Sequence, residues 1–293
     1  MNDMSRYLFA IVLAMAVLFG WQLIFPPEQR EIINNEIIEQ QDNIQLSVTP
    51  EDVQNYSEPC QEERVLIQSN KITGSINLCG AKIDEIFLKG FKTSTREDSD
   101  FVQFFNPKDS GSAYWVESGW KAPKNIRYDL PGTDTLWVLE EGQTLTPDTP
   151  IIISWNNQNG LTFKQKISID ENYVFKIEQI IINNSPGSIT VFPFQQLSRK
   201  EAPDVQALGL LHEGPTGYFD DQLEEVDYDD IEENDFRSEF KDGWVGIRDK
   251  YWATAITSLD KDTKRAIFKT SSDAFDNYYS CLLYTSDAAD DRI

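Results

Sequence analysis

The chain has 293 residues, 40% of them hydrophobic and 12% aromatic, and a formal net charge of −23. That length holds one large domain or two small ones. A charge of that sign, with no Lys/Arg-rich run, excludes a nucleic-acid role because it repels phosphates. Three cysteines (Cys60, Cys79, Cys281) without a CxxC pair, beside the single histidine His212, exclude a Cys/His zinc cluster.

The first predicted element is "YLFAIVLAMAVLFGWQLIF", Tyr7 to Phe25, with no charge and one amide, Gln22. Nineteen residues at about 1.5 Å each span roughly the hydrocarbon thickness of a bilayer. Tyr7 and Trp21 suit the two interfaces. "AMA" at Ala14 to Ala16 has the small-x-small form of a cleavage site, but cutting there would leave "VLFGWQLIF" exposed on the mature chain. Residues 1–27 are therefore expected to be an uncleaved transmembrane anchor, the bilayer contacting residues 7–25. The N-terminus is expected in the cytoplasm and the acidic bulk outside, which in a Gram-negative cell is the periplasm.

Residues 28–58 are polar and amide-rich, the composition of a tether. From residue 59 the periodicity changes to two. "KITGSINL" places Ile72, Gly74, Ile76 and Leu78 on one face. "LTFKQKISI" does the same with Leu161, Phe163, Ile167 and Ile169, Gln165 being the exception. "YVFKIEQIII" follows with Tyr173, Phe175, Ile177 and Ile181. "NQNG" predicts a hairpin between "IIISW" and "LTFKQKI", and "NNSPGS" predicts another between "IEQIII" and "ITVFPF". No long capped helix and no fixed-period repeat is present, so residues 59–280 are expected to form one mostly antiparallel β-sandwich domain. Cys60 and Cys79 could pair in an oxidising compartment; two free thiols are the preferred reading.

His212 sits in "LLHEGPTGYFDD", a turn-rich stretch, and Glu213 beside it points the other way in an extended chain. It is expected to be a loop histidine. Residues 220–242 carry twelve acids against Arg237 and Lys241, without a calcium-loop pattern, and are expected to be a solvated loop or hairpin. In "GWVGIRDKYWATAI", Gly243 to Ile256, Trp244, Gly246 and Arg248 alternate with Val245 and Ile247. "RDK" reads as the turn between two core strands, with the large aromatics filling the space between sheets. No catalytic, cofactor-binding or metal-ligating residue emerges, and the protein is expected not to be an enzyme. No GxSxG, P-loop, HExxH or GxGxxG is present.

Several of these segments, in order, resemble the YidC family of bacterial membrane protein insertases. They are "RYLFAIVLAMAVLFGWQLIF", "KITGSINLCGAKIDEIFLKGFK", "ENYVFKIEQIIINNS", "LHEGPTGYFDDQLEEVDYDDI" and "GWVGIRDKYWATAI", the last being the most specific. The resemblance runs from about residue 4 to residue 279. It implies a periplasmic β-supersandwich similar to galactose mutarotase-type domains. It also implies a full-length protein that inserts and folds inner-membrane proteins, alone or with the Sec translocon, with SecDF, SecYEG and nascent inner-membrane proteins as partners. The family's later transmembrane helices are not matched, since no second apolar run approaches eighteen residues. "CLLYTSDAADDRI", Cys281 to Ile293, breaks the strand pattern and does not resemble the family. It is expected to be a non-native tail on a truncated sequence. The alternative to the insertase is a membrane-anchored periplasmic carbohydrate-binding or scaffold β-sandwich protein, an alternative that the single histidine makes poor as a mutarotase.

Overall fold

A computed structural model describes residues 60, 63–200, 212–272 and 277–285, all within one compact unit. The anchor and tether expected over residues 1–58 lie outside the described residues. Among the described residues no helix is long and apolar enough to cross a membrane.

The period-two pattern becomes strand after strand. In chain order come β1 (Arg64–Gln68), β2 (Ile72–Asn77), β3 (Lys82–Lys92), β4 (Phe101–Phe105), β5 (Tyr114–Lys121) and β6 (Val138–Glu141). Next are β7 (Thr144–Leu145), β8 (Ile151–Asn156), β9 (Leu161–Ile169), β10 (Phe175–Asn183), β11 (Phe192–Lys200) and β12 (Gly214–Phe219). Then follow β13 (Gln222–Glu225), the short helix α1 (Tyr228–Glu233), β14 (Phe236–Phe240), β15 (Gly243–Arg248), β16 (Ala253–Ile256), β17 (Lys264–Ser272) and β18 (Asn277–Thr285). The domain is mostly β, with antiparallel sheets; the β1–β7 pair is parallel.

The main sheet has ten strands in the order β14-β17-β18-β11-β5-β3-β2-β1-β7, with β4 on β3. Among the described residues there are two further sheets of four strands, β10-β9-β8-β6 and β13-β12-β15-β16. One continuous apolar core joins them, drawing on Ile76, Ile83 and Leu197 of the main sheet, Ile153 and Phe163 of the second, and Val245 of the third. Trp120 stacks on Trp137 at 6.3 Å between ring centres and meets Phe163 at 5.1 Å, so these rings fill the middle.

The β8–β9 hairpin forms as expected, with Trp155 opposite Phe163 and Ile151 opposite Ile167. Its turn works because the Asn157 side chain accepts from the N–H groups of Asn159 (2.9 Å) and Leu161 (3.0 Å), while Gly160 takes φ +92°. Gln165, the exception on β9, is also inside, at 1% exposure. Its amide donates to the Ser118 carbonyl at 2.9 Å, and its cross-strand partner Gln179 donates to the Gly119 carbonyl at 2.7 Å. Two amides thus bridge the second sheet to β5 through an otherwise apolar layer.

Three expectations are corrected. β10 and β11 are not a hairpin: β10 pairs with β9, whereas β11 lies between β5 and β18 in the main sheet. Turn residues reverse a chain locally but do not select the sheet it joins next. Cys60 and Cys79 form a disulfide with Cα atoms 5.9 Å apart, because the turn after β2 brings Cys79 beside the start of the domain. The strand pattern does not break at Cys281 either. β18 runs to Thr285 and buries Cys281, Leu282, Leu283 and Tyr284, alternating between the two faces of a sheet covered on both sides.

Candidate functional site

The 243–256 segment builds one wall of a cleft. β15 and β16 pair antiparallel, Val245 opposite Ile256 and Arg248 opposite Ala253, and Val245, Ile247 and Ile256 are buried. A Cβ on Gly246 would lie 2.1 Å from the Thr254 carbonyl oxygen, so only glycine admits this close pairing. The "RDK" corner is a turn closed by the Asp249 N–H donating to the Trp252 carbonyl at 2.7 Å. Asp249 is ion-paired to Arg199 of β11, whose guanidinium lies 5.5 Å over the Tyr114 ring. Burial pushes the Tyr114 phenol well up, so it stays neutral beside that pair. The corner is thereby tied to the main sheet. The two tryptophans, expected to fill the space between the sheets, are only half-buried, and Trp252 packs against the core from its rim. Trp252 instead stands edge-on to Phe91 at 4.8 Å, on the cleft side.

The cleft itself has a volume of about 1300 Å³. Its floor is the main sheet, through Ile83, Ile86, Leu88, Val116 and Trp120. Its walls are unusual. Every residue from Tyr173 to Ile181, and every residue from Trp252 to Asp260, lines it. A strand seen face-on would contribute alternate residues only. Both runs border the cleft along their length, and β10 and β16 are each the last strand of their sheet. Among the described residues β10 pairs only with β9, and β16 only with β15.

Three of the charged side chains around the cleft are held within its walls. Lys176 and Glu178 form a 2.9 Å ion pair. Lys264, 2% exposed, donates to the carbonyls of Lys241 and Asp260 at 2.6 Å each, holding the loop after β16. Five apolar side chains at the mouth are exposed: Phe91, Tyr173, Val174, Ile180 and Leu259.

His212 lies elsewhere. Its Nδ1 is 3.4 Å from the carboxylate of Asp227 and its Nε2 is 3.2 Å from the Pro215 carbonyl, and it does not line the cleft. The carboxylate it meets is Asp227 and not the adjacent Glu213. The acidic stretch 220–242, expected to be a solvated loop or hairpin, opens with the β12–β13 hairpin but continues into α1 and β14, and α1 buries Tyr228 and Ile231 under its acids. Tyr228 meets Tyr279 of β18 edge-on at 4.5 Å, and Tyr279 donates to Glu232. Among the described residues no group of three His, Cys, Asp or Glu is gathered as a metal site. The carboxyls of buried Asp84 and half-buried Glu117 are pushed up from the usual range by desolvation, and neither lines the cleft. Asp84 is held by Arg64.

The cleft escaped the motif search because no motif encodes a strand edge. One signal was present: "III" at 180–182 breaks the alternation, placing apolar side chains on both faces of β10, and "YVF" at 173–175 is an unbroken apolar run at its start.

Fold and cleft together define a class: a mostly β domain with an apolar trough between open strand edges. A sequence profile of the YidC periplasmic domain matches residues 64–289. A protein of Rickettsia bellii (strain OSU 85-389) named membrane protein insertase YidC is 36% identical over 264 residues, covering 87% of this chain and 46% of the relative. Proteins of the same name from Rickettsia rickettsii (strain Iowa) and Rickettsia prowazekii (strain Madrid E) are 34% and 33% identical, with 87% of this chain and 47% of each relative covered. The chain belongs to the YidC family, through its periplasmic domain. It spans about half the length of the curated relatives it matches.

Proposed function

We propose that this chain is the amino-terminal part of an inner-membrane protein insertase. In this reading one helix, over residues 7–25, anchors it in the bilayer with the N-terminus cytoplasmic. The β domain stands in the periplasm as an interaction domain with a galactose mutarotase-like supersandwich fold. The complete protein inserts and folds nascent inner-membrane proteins, alone or with the Sec translocon, including SecYEG and SecDF. The observation that carries the proposal is the profile match over residues 64–289 together with relatives named as insertases. The Cys60–Cys79 disulfide supports an oxidising compartment for the domain.

The work proposed for the domain is binding without covalent chemistry or cofactor. Support comes from the separation of the His212–Asp227 pair from the cleft and from the apolar character of the cleft floor. The direct test is reconstitution of the complete gene product in liposomes with a short single-span membrane protein synthesised in its presence. Protease-protected insertion above that of empty liposomes is the expected result; equal insertion rejects the function. Labelling of an engineered surface cysteine in intact spheroplasts tests the orientation. A domain reached only after lysis would reverse it.

A further inference from the structure

We propose that the free edge of β14 pairs with the same edge of a second copy of this chain, antiparallel and centred on Ser238, so that two main sheets join into one. The pairing requires only the fold described above and not the insertase function.

β14 closes one end of the main sheet. It pairs with β17 in unbroken register, Phe236 opposite Phe268 and Phe240 opposite Lys264, and with no other strand among the described residues. An edge of that kind offers main-chain N–H and C=O groups as a template for another strand. It lies apart from the cleft, which no residue of β14 lines. Phe236 stacks on Phe219 and Phe268, with ring centres 6.0 and 5.0 Å away, and Phe240 is buried, so the even-numbered residues face the core. Arg237 and Glu239 face the other way, and both are exposed.

The order of charges on that outer side selects the partner. In "DFRSEFK", Asp235 to Lys241, acid and base alternate at every second position. An antiparallel copy presents the same row backwards. With Ser238 opposite Ser238, Arg237 lies opposite Glu239 of the second copy, and Phe236 lies opposite Phe240 of the second copy. Continued one residue past each strand end, the same register sets Asp235 against Lys241. A two-fold axis through Ser238 makes each of these pairs twice. Opposite charges placed across from one another stabilise a strand pair, whereas like charges destabilise it. Sliding the copies by two residues puts Arg237 opposite Arg237, or Glu239 opposite Glu239. Sliding them by one turns the core row of one copy onto the outer face of the other. The row is therefore complementary to itself in one register and repulsive or mismatched in the neighbouring ones.

The side chains are free to make these contacts. Arg237 is held by Asp235 at 2.9 Å and Glu239 by Arg265, which fixes the row within each copy. Asp235, Arg237 and Glu239 nevertheless stay 38%, 41% and 55% exposed, enough for a second partner each. Two other edges suit a second copy less well. β6 ends in Glu140 and Glu141 and β13 in Glu224 and Glu225, with no cation in either strand. A five-residue ladder buries less surface than a permanent dimer needs, so the association is weak and falls with salt.

The test is sedimentation equilibrium of the full chain in density-matched detergent micelles, at low and high salt and up to about 1 mM protein. The variants are Arg237→Glu, Glu239→Arg, and the swap carrying both, each with its unfolding midpoint checked to show that it folds. A concentration-dependent dimer is expected, weakened roughly tenfold by either single substitution. The swap should restore it, because the reversed row is again complementary to itself. A mixture of the two single variants should pair with each other better than either pairs with itself. A protein that stays monomeric throughout overturns the proposal. A dimer indifferent to every charge variant overturns it too, since another surface, such as the anchor, then holds the copies together. A folded swap that fails to restore pairing refutes the register.

Discussion

Gln165→Leu is the most direct probe of how the two layers are locked. The inward side of β9 carries Leu161, Phe163, Gln165, Ile167 and Ile169, and Gln165 is as buried as the rest. Its amide donates to the Ser118 carbonyl at 2.9 Å, next to the Gln179–Gly119 bond at 2.7 Å. Leucine loses a hydrogen bond with a net worth of about 1 kcal/mol and strips the Ser118 carbonyl of its amide partner, at about 1–3 kcal/mol. The leucine side chain returns up to about 1.5 kcal/mol of apolar burial. The expected result is a destabilisation of about 1–2 kcal/mol, against about 2–5 kcal/mol for Ile167→Ala, which opens a cavity. Urea unfolding followed by tryptophan fluorescence reads both, with the m-value unchanged. Gln179→Leu should couple to it, since the two residues are cross-strand neighbours, and a double-mutant cycle measures the coupling. A Gln165→Leu protein as stable as the parent would refute the bridge as a stabilising link.

Other consequences follow from single contacts. Breaking the Cys60–Cys79 bond, by reduction or by Cys60→Ser with Cys79→Ser, reopens a loop of separation 19 and should cost about 3 kcal/mol. Coincident urea curves for oxidised and reduced protein would deny that. Arg64→Met leaves the Asp84 carboxylate buried without its main partner and should cost about 3 kcal/mol near neutral pH. The Asp84 carboxyl is already raised by burial and rises further in the variant, so the deficit is greatest when it is ionised. It should shrink as pH falls through the raised folded values toward the ordinary value of about 4, below which both states are protonated. A deficit that grows on acidification would show that Asp84 is not the group responsible. Gly246→Ala forces a Cβ against the Thr254 carbonyl oxygen and should displace β16. Faster amide exchange at Ala253 to Ile256 is the expected sign, and unchanged exchange would contradict the packing.

Much of the fold was legible because strand formation writes a local signature. Period-two alternation placed β2, β9 and β10, and Asn159-Gly160 marked the β8–β9 turn, since side-chain facing and turn dihedrals depend on near neighbours. The family resemblance rested on short segments in order, and the profile over residues 64–289 agrees with it. Pairing across long separations was not legible. β11 leaves β10 to join β5 and β18, the Cys60–Cys79 bond closes, and Cys281 to Thr285 continue a strand because of what lies beside them in space. The cleft belongs to the same category. Composition and motif could supply its apolar side chains, but a free edge exists only once every other strand has found its partner. So the sequence alone determined the β character, the turns and the family, which are local properties. The tertiary structure alone decided which edges remain open over which floor, because hydrogen-bond pairing between distant segments is settled only in the assembled sheet.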